Sequence, residues 1–164
     1  MVAGGIKWEK GEQAEMFRGR STHNLDSKGR LSIPARFKDI LKAKYDMKLI
    51  VTNLPSCLAA YPFEEWKAVE DQFSKFRFGP PKVLAFKRYL LGAAIECALD
   101  AQGRILLPAG LRKEANIQKE VVLVGMLNYF EIWSKDLLES QLAETRDNFD
   151  TISDDIIKEF GIGI

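Results

Sequence analysis

Asp26 and Arg30 stand four residues apart, and the same pair returns as Asp100 and Arg104, 74 residues further on. A carboxylate and a guanidinium at this spacing can brace a turn through a charge-assisted hydrogen bond. The guanidinium can instead offer its planar fork to O6 and N7 of guanine, or the pair can act as the acid and the cation of an enzyme site. The surroundings of the first pair are strongly basic. Residues 16 to 44 hold Arg18, Arg20, Lys28, Arg30, Arg36, Lys38, Lys42 and Lys44 against Asp26 and Asp39, a net charge of +6. Residues 136 to 164 carry −6, although the whole chain stands at +1. Such asymmetry points to a polyanionic partner for the first segment; the plainer reading is two solvated faces of opposite charge that touch each other. Other chemistry is sparse. A single histidine, His23, argues against a His-rich zinc site or a Ser/His relay. Cys57 and Cys97 are too few for a disulfide scaffold, are not spaced as metal ligands, and read as small core residues. Glu64-Glu65 and Asp154-Asp155 are sequence neighbours and do not face each other on a helix. With no phosphate loop, ligand cluster or activated nucleophile, no catalytic residue, metal or cofactor is expected.

The chain that must position these residues has 164 residues, 46% of them hydrophobic and 29% charged, the balance of a soluble globular chain. No apolar run reaches the roughly 18 residues of a membrane span, and the first ten residues do not form a secretory signal. A cytoplasmic protein without a membrane partner is expected. An internal repeat organises it. Asn24 to Ala35 reads almost in register with Ala98 to Ala109, with Leu, Asp, Gly, Arg, Pro and Ala recurring at the same places. After a two-residue slip, Lys48 to Thr52 faces Glu120 to Val124, and Leu58 to Tyr61 faces Phe130 to Trp133. Each unit reads as mostly β. Asp26-Ser27-Lys28-Gly29 suits a hairpin with a type I turn and a bulge at Gly29, and Asp100 and Gly103 repeat that turn. A short return strand over Arg30 to Ile33 leads to Pro34 at the first position of a helix, which covers about Ala35 to Ala43 with Phe37, Ile40 and Leu41 on one face. Strands follow at Lys48 to Asn53 and Ser56 to Tyr61, then an amphipathic helix from Phe63 to about Phe76. Gly79-Pro80-Pro81 precedes a connecting helix over Lys82 to Leu91, and the second unit ends in a helix from about Lys135 to Thr145. A β unit of ~45 residues buries little core alone, so the two copies should pair about a pseudo-two-fold axis, with interleaved hairpins closing a small barrel.

Met16-Phe17-Arg18-Gly19, the stretch from Asn24 to Pro34 and the stretch from Leu91 to Asp100 resemble the MraZ family of bacterial transcriptional regulators. The resemblance runs roughly from Met16 to the acidic tail, and the duplicated Asp-x-x-x-Arg makes it specific. It implies an α+β, mainly β fold of two tandem SpoVT-AbrB-like swapped-hairpin units with flanking helices. It also implies a nucleoid-associated regulator of the division and cell-wall gene cluster. Such a regulator assembles into ring-shaped homo-oligomers and binds double-stranded promoter DNA at repeated G-rich sites upstream of its own operon, with no small-molecule substrate. The expected division is an N-terminal extension over 1–15, a first unit over 20–65, connecting helices over 66–93, a second unit over 94–137 and an acidic helix or tail over 138–164. Family members start at the equivalent of Met16, so residues 1–15 are expected to be loose: a remnant of cloning, an upstream start or a genuine arm.

The repeat allows an internal comparison. The offset of 74 sets Gly92, Ala94, Gln102 and Gly110 opposite Arg18, Arg20, Lys28 and Arg36; only Arg30 and Lys38 keep a cation, at Arg104 and Arg112. A scaffold common to both units needs the Asp, Gly and Pro but not the extra cations. The expected DNA face is therefore Arg18, Arg20, Lys28, Arg30 and Arg36, while Asp26, Gly29, Asp100, Gly103 and Arg104 shape the turns. Arg30 stands open between base contact and turn brace, because both copies keep its pair. His23 is expected to face solvent. In the tail, Ile152, Ile156, Ile157 and Phe160 fall at helical spacing, and either docking on a neighbour's basic surface or mimicry of phosphate would use them. Against the DNA-binding regulator stand an enzyme on a small barrel and a nonenzymatic assembly scaffold.

Overall fold

A computed structural model describes residues 16–164, so the expectation for residues 1–15 lies outside the described residues. Strand β1 (Arg20–Asn24) runs into the Asp26–Gly29 turn and emerges as β2 (Arg30–Ser32). Helix α1 (Ala35–Lys44), the hairpin of β3 (Lys48–Asn53) and β4 (Leu58–Pro62), and helices α2 (Phe63–Ser74) and α3 (Pro81–Leu90) complete the first unit. The second unit repeats the order with β5 (Ile95–Ala98), β6 (Arg104–Leu106), α4 (Ala109–Glu114), β7 (Glu120–Gly125), β8 (Phe130–Ser134), α5 (Lys135–Asp147) and α6 (Phe149–Phe160). Pro34 and Pro108 stand just before their helices, one place earlier than expected, where a missing N–H breaks no helical hydrogen bond. The C-terminal region, read from sequence as an acidic helix or tail, forms two helices interrupted at Asn148.

Six strands form one antiparallel sheet in the order β1-β7-β8-β4-β3-β5. The order reads the same from either end once the copies are exchanged, which is the pseudo-two-fold relation. Within the sheet β1 pairs with β7 of the other unit (Arg20 opposite Val124), and β5 pairs with β3 (Lys48 opposite Ala98). The short strands β2 and β6 pair with each other, Leu31 opposite Ile105, as a separate ribbon. Each unit thus lends its leading arm to the other.

The expected barrel does not close. Strands β1 and β5 remain the two margins of an open sheet. The turns at Gly29 and Gly103 send β2 and β6 away from the sheet plane, so the arms of the expected hairpin part immediately after the turn. The ribbon then fills the space that a closing sheet would have to occupy: Leu31, Ile33, Ile105 and Leu107 are buried in the same core as Leu49, Val51, Leu58, Leu123 and Ile132. Helix α1 covers that core with Phe37, Ile40 and Leu41, and the rings of Phe17, Phe37 and Phe130 meet at centroid distances of 5.1 to 5.3 Å. Burying each of these large side chains contributes about 1.5–3 kcal/mol. Strand alternation turns Ile50, Val122 and Trp133 to the opposite face. There α2 and α3 bring Trp66 and Leu90 onto Ile50, and α5 brings Leu138 to Val122, Trp133 and Cys57. Both cysteines are buried, and burial pushes both thiols up, Cys97 to about 11. Among the described residues no helix is long and apolar enough to cross a membrane.

Candidate nucleic-acid interface

The site grows from the Asp26 turn. Oδ1 of Asp26 accepts hydrogen bonds from the backbone N–H groups of Lys28 and Arg30, each at 2.9 Å, and Oδ2 accepts from Nε of Arg30. The Gly29 N–H donates to the Asp26 carbonyl at 3.0 Å, and the Asp26 N–H donates to the Arg30 carbonyl at 3.1 Å. Gly29 takes φ +82°, which a residue without Cβ adopts at no steric cost. This is the expected type I turn closed by a bulge. The second copy repeats it: Asp100 Oδ1 accepts from Gln102 and Arg104 N–H at 2.9 Å, Oδ2 accepts from Arg104 Nε at 3.0 Å, and Gly103 has φ +74°. Backbone N–H groups favour the ionised carboxylate. The N–H of Arg30, joined by its side chain and by the N–H of Lys28, holds the Asp26 carboxyl down at about 2. Asp100 is lowered by the same kind of contacts, the Arg104 N–H foremost.

Two connections between the copies escape a reading of sequence. Arg104 Nη1 comes within 3.9 Å of Asp26, so one carboxylate faces guanidinium groups from both units. Arg112 lies over the turn of the first unit: a Cβ on Gly29 would sit 2.9 Å from its guanidinium carbon, and its Nε donates to the Leu107 carbonyl at 3.1 Å. Lys38 lies over the other turn, 2.6 Å from a Cβ on Gly103. Lys38 and Arg112, cations kept at the same offset, therefore each pack over the turn of the other unit. Their retention at the offset of 74 was the available signal.

The five cations assigned to DNA fall into two groups. Arg18 and Arg36 line one cleft of about 430 Å³ together with Met16, Phe37 and Asp39, and the Arg36 guanidinium also lies 5.2 Å from the Phe37 ring centre. Arg20 is exposed at the head of the marginal strand β1. Lys28 is exposed at the turn, and its ammonium makes no ion pair among the described residues. Arg30 is held by Asp26 while its side chain remains 32% exposed. Five strand steps of about 3.3 Å separate Arg20 from Leu25, so the Arg20 end and the turn lie roughly 17 Å apart. His23 does not face solvent freely: it is half-buried on the alternate face of β1, with Nε2 2.9 Å from Ser21 Oγ, and burial lowers its pKa. The ion pairs Lys48–Glu96, Lys135–Glu120 and Arg146–Asp147 and those of the turns, all between described residues, each lie outside any contact between the basic and the acidic segment. Among the described residues no group of three or more His, Cys, Asp or Glu side chains is placed to hold a metal ion.

A family model described as "MraZ protein, putative antitoxin-like" matches residues 16–88 and again residues 90–160. Three relatives carry the name "Transcriptional regulator MraZ". That of Syntrophobacter fumaroxidans is 43% identical, over 83% of this chain and 91% of its own length. That of Pediococcus pentosaceus is 42% identical over 90% and 100%, and that of Desulforapulum autotrophicum 46% over 74% and 82%.

Proposed function

The chain belongs to the MraZ family, and from that membership we propose that it is a transcriptional regulator that binds double-stranded DNA through its first unit. One observation carries the assignment to that unit. Both units share the turn frame of Asp, Gly and Arg, yet Arg18, Arg20, Lys28 and Arg36 belong to the first alone. The second unit folds without these cations, so they are not part of the shared frame, and each phosphate that such a side chain neutralises releases condensed counterion. Arg18, Arg20, Lys28 and Arg36 serve as positioning contacts on the backbone. The ~17 Å between the two groups is about half of a ~34 Å helical turn, so they suit backbone on the two sides of one groove. Arg30 takes both roles left open by its spacing: Asp26 fixes its plane, and a fixed fork is what guanine recognition in the major groove needs.

In line with the family, we read residues 20–65 and 94–137 as SpoVT-AbrB-like swapped-hairpin units; the exchange of arms between copies supports this. The targets are repeated G-rich sites upstream of its own operon, in the division and cell-wall gene cluster, and the protein acts at the nucleoid as a ring-shaped homo-oligomer. A ring turns several weak contacts into avidity when sites recur on one face of the duplex, about 10 bp apart. It is a binding protein, with no reaction of its own. The test is titration of duplex DNA from the region upstream of its own gene at a series of salt concentrations. The logarithm of affinity should fall linearly with the logarithm of salt, by about 0.9 per phosphate contacted. Binding no tighter than to unrelated duplex would remove the regulator reading and leave an enzyme or a scaffold.

A further inference from the structure

The repeat supplies an internal control for its last helix. Helices α3 and α6 end the two units at equivalent places in the element order, yet only α3 is seated. Leu90 of α3 is buried with Ile50 and Trp66, and β3 holds the same end by hydrogen bonds from Thr52 Oγ1 to the Leu90 carbonyl (2.5 Å) and from Asn53 Nδ2 to the Tyr89 carbonyl (3.2 Å). Helix α6 buries no residue. Phe149, Ile152, Ile156 and Phe160 nevertheless recur on one of its faces with Ile157 beside them, and Phe160 is 68% exposed. A helix of 12 residues is marginal in water by itself, and an uncovered stripe of this kind marks an interaction surface.

Charge selects what covers it. Helix α6 carries Asp150, Asp154, Asp155 and Glu159 against Lys158. Pairing of two α6 stripes would bring like charges together, and an acidic face is a poor ligand for DNA or for anionic lipid. The opposite composition occurs once in the described chain beside exposed aromatic rings. Residues 72–95 hold Lys75, Arg77, Lys82, Lys87 and Arg88 and no acid. On the same stretch Phe76, Phe78, Phe86 and Tyr89 are exposed, Phe78 at 96%. The Phe73 and Phe86 rings stack at 5.4 Å, which fixes part of this aromatic surface where α2 and α3 meet. The Arg18–Arg36 cleft offers cations without such rings, since Phe37 is buried.

We propose that α6 of one copy docks by its apolar stripe on the basic, aromatic surface formed by α3 and the connection before it, Lys75 to Tyr89, of a second copy of this chain. The proposal rests on the homo-oligomer of the preceding section and names its contact. The two surfaces differ, so the contact is heterologous and each copy offers one of each kind.

The test uses the full chain and its mass in solution by light scattering. Ile152→Glu with Phe160→Glu spoils the helix; Phe78→Glu with Arg88→Glu spoils the surface. All four side chains are exposed, so each variant should still fold and melt cooperatively, with only the stabilisation due to assembly lost. Each double variant alone should show a mass at least twofold below wild type. Mixed in equal amounts, the two should form a species of two chains, because each keeps the half that the other lacks. Either variant retaining the wild-type mass, or a mixture that fails to associate, overturns the contact. If that happens while the wild type still assembles and binds promoter DNA, the regulator reading stands without it. A wild-type chain of single-chain mass overturns both the contact and the homo-oligomer beneath it.

Discussion

Asp26 uses both carboxylate oxygens inside its own turn, and that fixes the sign of its response to pH. Its pKa falls from 3.8 to about 2 on folding. Such a group stabilises the fold fully above the unfolded value and loses that contribution as pH drops through the folded one. The difference in urea midpoint between wild type and Asp26→Asn should therefore be full above about 3.8 and close as pH approaches about 2. A gap that persists unchanged to the acid end would show that the carboxylate charge is irrelevant. Lys28 makes the complementary case. Its backbone N–H serves the turn while its ammonium is unpaired among the described residues, so Lys28→Ala should leave stability within about 0.5 kcal/mol. It should weaken DNA binding and reduce the salt slope by about 1. Gln102→Ala, at the matching place in the second unit, should change neither; equal losses from both positions would refute the one-sided interface. The excess of cations in one copy was readable from the repeat. That Arg30 and Arg104 both approach Asp26 was not, because the two turns meet only through pairing of β2 with β6.

At the scale of elements, the turn depends on a backbone that side chains resist. Gly29→Ala meets a left-handed φ that costs roughly 1–2 kcal/mol and pushes Arg112 from its bond to the Leu107 carbonyl. Chemical denaturation should show a loss of about that size or more; an unaltered midpoint would mean that the turn relaxes freely. Gly110 is the contrast. It lies in α4 with nothing within 4 Å of an added Cβ, so Gly110→Ala should raise stability by about 0.4–1 kcal/mol, by reducing the freedom of the unfolded chain. The turn type, the bulge and the helices after Pro34 and Pro108 were legible because they are set within a few residues of one another. The parting of β1 from β2 was not, since each finds its partner in the other unit.

The whole molecule is a pair of copies that cannot be separated. Among the described residues β1, β2, β5 and β6 have strand partners only across the repeat. Residues 16–88 alone should give no folded monomer by circular dichroism and light scattering: either an unfolded chain or a homodimer that restores the missing strands. A cooperative single-chain melt from this fragment would contradict the exchange. By itself the order of residues determined the duplication, the element types and the confinement of extra cations to the first copy, since propensity, turn chemistry and charge are local properties that recur at a fixed offset. It left open whether the strands would close on themselves. Tertiary structure alone decided that the sheet stays open under a two-stranded ribbon, that Lys38 and Arg112 pack over opposite turns, and that α3 is seated while α6 is bare. Those outcomes depend on which distant apolar faces fit together and fill the available volume, and packing of that kind leaves no mark at any one position.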